Sequence, residues 1–293
     1  MPIDPNKLLA FKIPEVRQKI TAENAAFYAL TIGLGQDALD RRQLDFVCAD
    51  APAFRPFPSL FLVVAHPGFW LADPESGVDP RAVLHASQSL RLMAPLPVGD
   101  TVVSRSRITR LIDKGEGKAA LLDTQTLIED ERGTLLAQLD RTTFVRGGGG
   151  FGGDNPAPAP TPARPAADSA PDHVVTLTTR PEQALYYRMN GDANPLHSDP
   201  EAAAKAGFER PILHGLCTAG IVCHALLRAA ADYDAARLSS LTMRFSGYVL
   251  PGESIVTEIW NDGRFRARVS ERNATVIEDG YADILAKNEQ PAT

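Results

Sequence analysis

Residues 90–103 read LRLMAPLPVGDTVV, and residues 243–256 read MRFSGYVLPGESIV. Each stretch consists of an alternating strand, a turn that contains proline and glycine, an acidic residue and the start of another strand. The two stretches match along their length, with Leu90 corresponding to Met243. Two copies of one structural unit in a single chain are the simplest explanation.

Two further pairs of segments support this duplication. Residues 54–63 (FRPFPSLFLV) are similar to residues 209–218 (ERPILHGLCT), and residues 23–33 (ENAAFYALTIG) are similar to residues 182–191 (EQALYYRMNG). The pairs occur in the same order, and the spacing between matched residues changes only slightly along the chain. Because chance similarity would not preserve both order and spacing, the sequence predicts two halves with the same fold.

Each half is predicted to be an α+β unit with one coarse pattern: a short helix, loops, an apolar helix and several strands. Residues 216–231 (LCTAGIVCHALLRAAA) are apolar almost all round, which is typical of a fully buried helix. Residues 264–269 (RFRARV) alternate strictly, as in a strand with one face in the core. A buried helix followed by antiparallel strands suggests a sheet that wraps around the helix, once in each half.

A change in composition separates the two halves. Residues 146–171 are rich in glycine, proline and alanine, which favours a flexible or extended segment without a core of its own. A loop of this length is uncommon inside one compact domain. We therefore predict a first half at residues 1–145, a linker at 146–171 and a second half at 172–293.

Composition excludes some classes of partner. The formal net charge is −6, with 44% hydrophobic and 23% charged residues, as expected for a soluble globular protein. Without a long basic run, neither nucleic acid nor an anionic membrane is expected as the main partner. The three cysteines cannot form an even disulfide framework, and the N-terminus does not have the pattern of a signal peptide. These features predict a cytoplasmic protein.

The densest group of reactive side chains follows Gly191 and reads GDANPLH to His197. Pro195 separates Asp192 from His197, so the two cannot share a continuous helix, and a turn can bring the carboxylate and the imidazole towards one point. Ser198-x-x-Glu201 has the pattern of a capping box, so a new helix is predicted directly after the histidine.

A carboxylate beside an imidazole is suited to general acid–base chemistry on water. Asn194 could orient one of these groups by hydrogen bonding. Gly215 is predicted at the start of the buried helix, where backbone N–H groups are unpaired and can stabilise an oxygen that gains negative charge. Asp192 and His197 are the candidate catalytic residues.

Other interpretations of these residues remain open at this point. Asp-x-Asn-Pro is also an ordinary turn former, so Asp192 could serve only in an Asx turn. A metal site could be built from Asp192, His197 and His214, although the spacing is not that of a zinc site. His214 and His224 are more typical of packed histidines than of catalysts.

The motif and its surroundings resemble the hydratase 2, or MaoC-like, family, whose pattern is Gly-Asp-x-Asn-Pro-Leu-His. The segments LHASQSLRLMAPLPVGD, LIDKGEGKAALLDTQTLI, GGFGG and MRFSGYVLPGE also resemble successive blocks of the hydratase 2 domain of peroxisomal multifunctional enzymes. The resemblance covers nearly the whole chain. It implies a double hot dog fold and an R-specific enoyl-CoA hydratase, which adds water reversibly to a trans-2-enoyl-CoA to give a (3R)-3-hydroxyacyl-CoA.

The resemblance also assigns roles to individual residues. Asp192 and His197 match the catalytic pair, with Asn194 beside them, and Gly215 matches the position whose amide holds the thioester oxygen. Further matched positions line the acyl-CoA site or support it, and they are His85, Ala86, Lys114, Tyr187, Ala193, Pro195, Leu196, His214 and Phe245. At position 86 the family often has glycine, whereas this chain has alanine. The family implies a homodimer. We expect no metal, because no recognised zinc spacing is present, and no cofactor besides the coenzyme A of the substrate.

The first half lacks the catalytic pattern. At the position of the motif it reads GLGQDAL from Gly33 to Leu39, with no acid after the glycine and no histidine at the matching spacing. We therefore predict one active site per chain, with the first half shaping a tunnel for the acyl group. The alternative functions are a non-catalytic acyl-CoA-binding protein, a thioesterase, and a dehydratase that acts on carrier-protein-bound substrates.

Overall fold

A computed structural model describes residues 2–153 and 169–286. Ten strands form one continuous antiparallel sheet in the order β1-β3-β4-β5-β2-β7-β10-β9-β8-β6. The strands are β1 Val16–Lys19, β2 Val83–Leu92, β3 Thr101–Asp113, β4 Ala120–Asp130, β5 Leu135–Val145, β6 His173–Thr178, β7 Leu238–Phe245, β8 Ser254–Ile259, β9 Arg264–Val269 and β10 Ala274–Ile284. The helices are α1 Pro5–Ala10, α2 Ala22–Thr31, α3 Arg41–Val47, α4 Gln183–Tyr187, α5 Pro200–Lys205 and α6 Gly215–Ala230.

The strand order confirms the duplication. The first five strands are arranged β1-β3-β4-β5-β2 and the last five β6-β8-β9-β10-β7. In each half, the first, third, fourth, fifth and second strands along the chain are therefore neighbours in that order. The halves meet where β2 pairs with β7, and Ser89 lies opposite Thr242 at the middle of this pair. Since Leu90 corresponds to Met243 in the sequence, Ser89 corresponds to Thr242. The two hydroxyls, 3.2 Å apart, therefore lie on the pseudo-twofold axis that relates the halves.

The α+β, double hot dog fold class is confirmed, with two differences from the prediction. The sheets of the two halves are joined into one rather than separate, because β2 and β7 pair edge to edge. The second half has the predicted buried helix, α6, whose residues 216–227 are all buried. For the first half the prediction of an apolar helix was wrong, because the corresponding segment forms only the short 3-10 helix Pro58–Leu62.

Ala65 explains why the helix of the first half stays short. Its φ of 46° lies in the left-handed region, which an α-helix cannot continue. The Ala65 amide donates to Gln18 Oε1 at 2.6 Å, and the Ser104 hydroxyl donates to the Ala65 carbonyl. The chain is thereby fastened to the sheet after one short turn.

One hydrophobic core spans both halves. Apolar side chains from α2 and the segment around Pro58–Leu62 belong to the same buried cluster as those of α6. Helix α6 approaches α2 closely at Gly220, where a β-carbon would lie 2.6 Å from Ile32 Cγ2 and 3.0 Å from the Tyr28 hydroxyl. The shared core fixes the position of the head of α6 relative to the first half.

The glycine-rich segment after β5 is held against the first half. The Asp113 carboxylate accepts hydrogen bonds of 2.7 Å from the amides of Gly115, Gly150 and Gly152. These bonds lower the pKa of Asp113. Residues 146–153 of the predicted linker are therefore ordered against the β3–β4 hairpin, while residues 154–168 of that linker lie outside the described residues.

Candidate active site

The loop that carries the motif is built from consecutive tight turns. Gly191 ends the turn Arg188–Asn190 with a φ of 109°, a left-handed conformation that favours glycine. The Asp192 carboxylate then accepts from the Asn194 amide at 3.2 Å, and Asn194 Oδ1 accepts from the Leu196 amide at 3.1 Å. The Asx turn considered as a structural role for Asp192 is therefore present. It orients the carboxylate and leaves its second oxygen for other partners.

His197 is fixed in one tautomer by the backbone. Its side chain is buried, with 8% of the residue exposed, and Nδ1 lies 2.8 Å from the Ile212 carbonyl oxygen. Because a carbonyl can only accept, Nδ1 carries the proton and Nε2 presents a lone pair. Burial lowers the pKa of His197, opposed by the Ile212 bond and the Asp192 charge. The imidazole is thus neutral and able to accept a proton at neutral pH.

His214 lies directly beside His197. The two rings stack with centroids 3.8 Å apart and planes at 27°, and His214 Nε2 donates to the Asp192 carbonyl oxygen at 3.2 Å. Burial, followed by the charge that His197 carries when protonated, lowers the pKa of His214 to about 3. His214 is therefore a neutral ring that supports both the loop backbone and the other imidazole.

Asp192, His197 and His214 form a cluster in which one side-chain ligand atom of each lies within 4.8 Å of the others. Among the described residues it is the only such group of three acidic, histidine or cysteine side chains. A metal about 2 Å from an imidazole nitrogen lies in the plane of that ring. Since the two rings are stacked, their lone pairs do not converge on one point. The donor set suits a water molecule better than a metal ion.

The head of α6 lies next to residues from both halves. Gly215 is the first residue of the helix, and its amide donates no hydrogen bond within the described parts of the chain. A β-carbon at Gly215 would lie 3.5 Å from the Phe245 ring, and that ring lies 4.7 Å from the His85 ring by centroids. The structure thus brings the first-half residue His85 to the wall beside the predicted oxyanion donor.

The remaining predicted residues occupy different places. Ala193 and Pro195 are exposed and Leu196 is half-buried on the motif loop. Tyr187 is fully buried and contacts His214, with ring centroids 5.0 Å apart. Lys114 lies in the turn between β3 and β4 of the first half.

Ala86 forms a β-bulge. The pairing of β2 with β5 shifts between His85 and Ser87, so the backbone of residue 86 is unpaired in the ladder. The residue does not have a positive φ, and the bulge is compatible with alanine where the family often has glycine.

Sequence reasoning missed a polar group beside this site. His66, Gln88 and Arg141 line a cavity of the first half that also reaches Leu216, the residue after Gly215. A signal was available for Arg141, since it alternates in β5 with Leu139, Thr143 and Val145, which face inward. A charged residue in the inward register of a strand is unusual and points to a function.

Comparison with known proteins agrees with the architecture. The chain matches the MFE-2 hydratase 2 N-terminal domain over residues 19–147 and the MaoC like domain over residues 162–281. It is 40% identical to the enoyl-CoA hydratase ChsH3 of Mycobacterium tuberculosis, over 90% of this chain and 91% of that protein. It is 38% identical to the peroxisomal enoyl-CoA hydratase 2 of Arabidopsis thaliana, over 94% of each.

A solved structure extends this agreement to three dimensions. The MaoC-like dehydratase from Phytophthora capsici superimposes with a TM-score of 0.83 at 30% identity, covering 98% of this chain and all of that one. The chain therefore belongs to the MaoC-like hydratase 2 family. No helix of the described residues is both long enough and apolar enough to cross a membrane.

Proposed function

We propose that this protein is an R-specific 2-enoyl-CoA hydratase, which converts trans-2-enoyl-CoA and water reversibly into (3R)-3-hydroxyacyl-CoA. The observation that carries the proposal is the meeting of the Asp192 carboxylate with the imidazole of His197. The carboxylate is held by the Asn194 amide of the motif loop, and the imidazole by the Ile212 carbonyl of the segment before α6. Relatives with the name enoyl-CoA hydratase match over nearly their whole length.

A water molecule between the two groups would have an acceptor for each of its protons: a carboxylate oxygen of Asp192 and Nε2 of His197. Its oxygen lone pair is then directed away from both and towards C3 of the substrate. As the C3–O bond forms, one of these acceptors takes a proton from the water, and the same group then gives that proton to C2 on the same face. The net change is the addition of one water, and both side chains return to their initial protonation states.

The head of α6 supplies the complementary charge. As the hydroxyl attacks C3, negative charge develops on the thioester oxygen, because the double bond is conjugated to the carbonyl. The Gly215 amide has no competing partner among the described residues and lies at the positive end of a helix of 16 residues. A preorganised donor of this kind is typically worth about 10²- to 10³-fold in rate.

An assay of the hydration of crotonyl-CoA and of longer enoyl-CoA substrates tests the proposal. The reaction is measured by the loss of absorbance of the conjugated thioester. We expect turnover, a (3R) product by chiral analysis, and no release of free coenzyme A to a thiol reagent. Binding without turnover would support the non-catalytic alternative, and release of coenzyme A would support a thioesterase. A preference for carrier-protein-bound 3-hydroxyacyl substrates would support the dehydratase.

Three further properties belong to the same proposal. We expect no metal and no cofactor, so turnover persists after dialysis against a strong chelator. A homodimer is expected and can be tested by light scattering at several protein concentrations. A cytoplasmic location is expected from the sequence; because the Arabidopsis relative is named peroxisomal, imaging of the tagged protein in its own cells decides between the two compartments.

A further inference from the structure

The cavity of the first half lies beside the head of α6. Leu216 lines it and directly follows Gly215, while Leu62, Val64 and Leu139 supply apolar walls. An acyl chain whose thioester oxygen is bound by the Gly215 amide would pass Leu216 and enter this space. The lining of the cavity therefore bears on which acyl groups the enzyme accepts.

A band of polar side chains crosses one wall of this cavity. Arg141 on β5 is paired in register with Gln88 on β2 and with Thr124 on β4, so the three residues are neighbours across three strands. All three line the cavity, as does His66 from the loop after the 3-10 helix. We call His66, Gln88, Thr124 and Arg141 the polar band.

The second half shows that the fold does not require the polar band. By the duplication, Gln88 corresponds to Leu241, and the residue that pairs with Leu241 on the neighbouring strand is Ala282. Leu241 and Ala282 are each only 1% exposed and belong to the hydrophobic core. The same topology is thus built with apolar residues in one half and with Gln88 and Arg141 in the other.

Arg141 has no anionic partner within residues 2–153 and 169–286. Its Nε is buried without a hydrogen bond, and the guanidinium forms no ion pair in the described structure. Burial lowers the pKa of Arg141, and the charge of Asp192 opposes this effect. Arg141 is half-buried, and a partly desolvated cation without an ion-pair partner favours an anion supplied by a ligand.

His66 is suited to act as a neutral partner beside Arg141. Its side chain lines the cavity together with Arg141, and burial and the Arg141 charge lower its pKa to about 4. A neutral imidazole can donate to an anionic oxygen without adding a second positive charge.

We propose that the polar band binds a carboxylate on the acyl chain, and that the preferred substrates are dicarboxylic, trans-2-enoyl thioesters with a free carboxylate at the far end. The carboxylate would pair with the Arg141 guanidinium and hydrogen bond to His66, while the chain between it and C3 contacts the apolar walls. This proposal deepens the proposed hydratase function and rests on it.

The wild-type enzyme gives the first test. Hydration is measured for chain-length-matched pairs of enoyl-CoA substrates that end in a carboxylate or in a methyl group, over a series of lengths, with crotonyl-CoA in the same assay. We expect a maximum in the ratio of kcat/KM, carboxylate-ended over methyl-ended, at one chain length. The absence of any hydration, including that of crotonyl-CoA, would refute the hydratase function itself.

The second test removes the charge. Arg141→Met is expected to lower the ratio at its maximum by about tenfold to hundredfold, the range of a charge-assisted hydrogen bond. Arg141→Lys keeps the charge and is expected to retain part of the preference. The matched control is Arg107→Met, because Arg107 is exposed on β3 and bonds to Gln125. If Arg141→Met fails to fold, the wild-type comparison of carboxylate-ended and methyl-ended substrates still tests the proposed preference.

Three results would overturn the inference while the hydratase function stands. The first is active hydration with no preference for a carboxylate at any length. The second is an unchanged ratio in a folded Arg141→Met. The third is an equal gain from chains ending in a hydroxyl or keto group, which would show that the polar band recognises oxygen rather than negative charge.

Discussion

The imidazole rings of His197 and His214 stack with centroids 3.8 Å apart, and each ring is tied to the backbone of a different segment: His197 to Ile212 and His214 to Asp192. The first histidine belongs to the motif loop and the second is the residue before α6. The histidine of each segment therefore donates a hydrogen bond to a backbone carbonyl of the other segment. This crossed arrangement joins the proposed acid–base pair to the helix end that carries the predicted oxyanion donor.

His214→Phe should reduce kcat by several-fold while KM changes little. Phenylalanine keeps the stacking but cannot donate to the Asp192 carbonyl, and a hydrogen bond of this kind contributes about 1 kcal/mol. His214→Gln, which offers an amide donor, should recover part of the loss. Steady-state kinetics of both variants check this, and equal activity of the two would show that the bond is unimportant.

In the pH profile of kcat/KM, the midpoint of the acidic limb should lie below the ordinary histidine pKa of about 6.5. His197 must be neutral to accept a proton, and burial lowers its pKa, so it stays neutral as the pH falls through 6.5. A profile recorded from pH 4 to 9 checks the limb. A midpoint above about 7 would contradict the neutral, backbone-bonded imidazole.

The melting temperature has to be followed alongside that profile. His224 is 1% exposed and its pKa is lowered to about 4, so the unfolded chain binds a proton at higher pH than the folded one. The contribution of His224 to the free energy of unfolding is therefore fully present above about pH 6.5 and is lost as the pH decreases towards 4. Activity lost together with the folded signal would not report on His197.

Gly215→Ala should leave the fold intact and lower kcat/KM by about tenfold or more. A β-carbon there meets nothing closer than the Phe245 ring at 3.5 Å, an ordinary contact, but it would stand between the helix end and an incoming thioester. Kinetics and the melting temperature are measured together. Full activity in this variant would remove the Gly215 amide from the mechanism.

Gly220→Ala, five residues along the same helix, should instead lower the stability of the fold. Its β-carbon would lie 2.6 Å from Ile32 Cγ2, so α2 and α6 would have to separate. Overpacking of this kind costs about 1–3 kcal/mol. Urea denaturation checks the loss, with Gly215→Ala as the matched control, and unchanged stability would mean that the helices are free to adjust.

Features repeated along the chain or carried by a local pattern could be predicted from the sequence. Comparison of the two halves gave the correspondence of Leu90 with Met243, and hence the position of the pseudo-twofold axis at Ser89 and Thr242. The apolar run gave α6 to within one residue at each end. The proline in the motif indicated a turn between Asp192 and His197, and the structure has one.

Features that depend on competition between neighbours, or on distant partners, could not be predicted. Ser198 and Asp199 can both cap a helix, and the predicted capping box at Ser198 was wrong: Asp199 accepts from the Glu201 amide at 2.8 Å. The short helix of the first half depends on Gln18 and Ser104, which are far from Ala65 in the sequence. The joining of β2 to β7 likewise depends on which strand edges meet.

The most direct test of the central claim is the turnover of enoyl-CoA by Asp192→Asn and His197→Gln. We predict that each loses about 10²- to 10⁴-fold in kcat, the usual contribution of a general acid or base, with an unchanged melting temperature. Asp199→Asn is the matched control, because it keeps its capping role on α5 and lies outside the cluster. Wild-type turnover in either active-site variant would contradict the account.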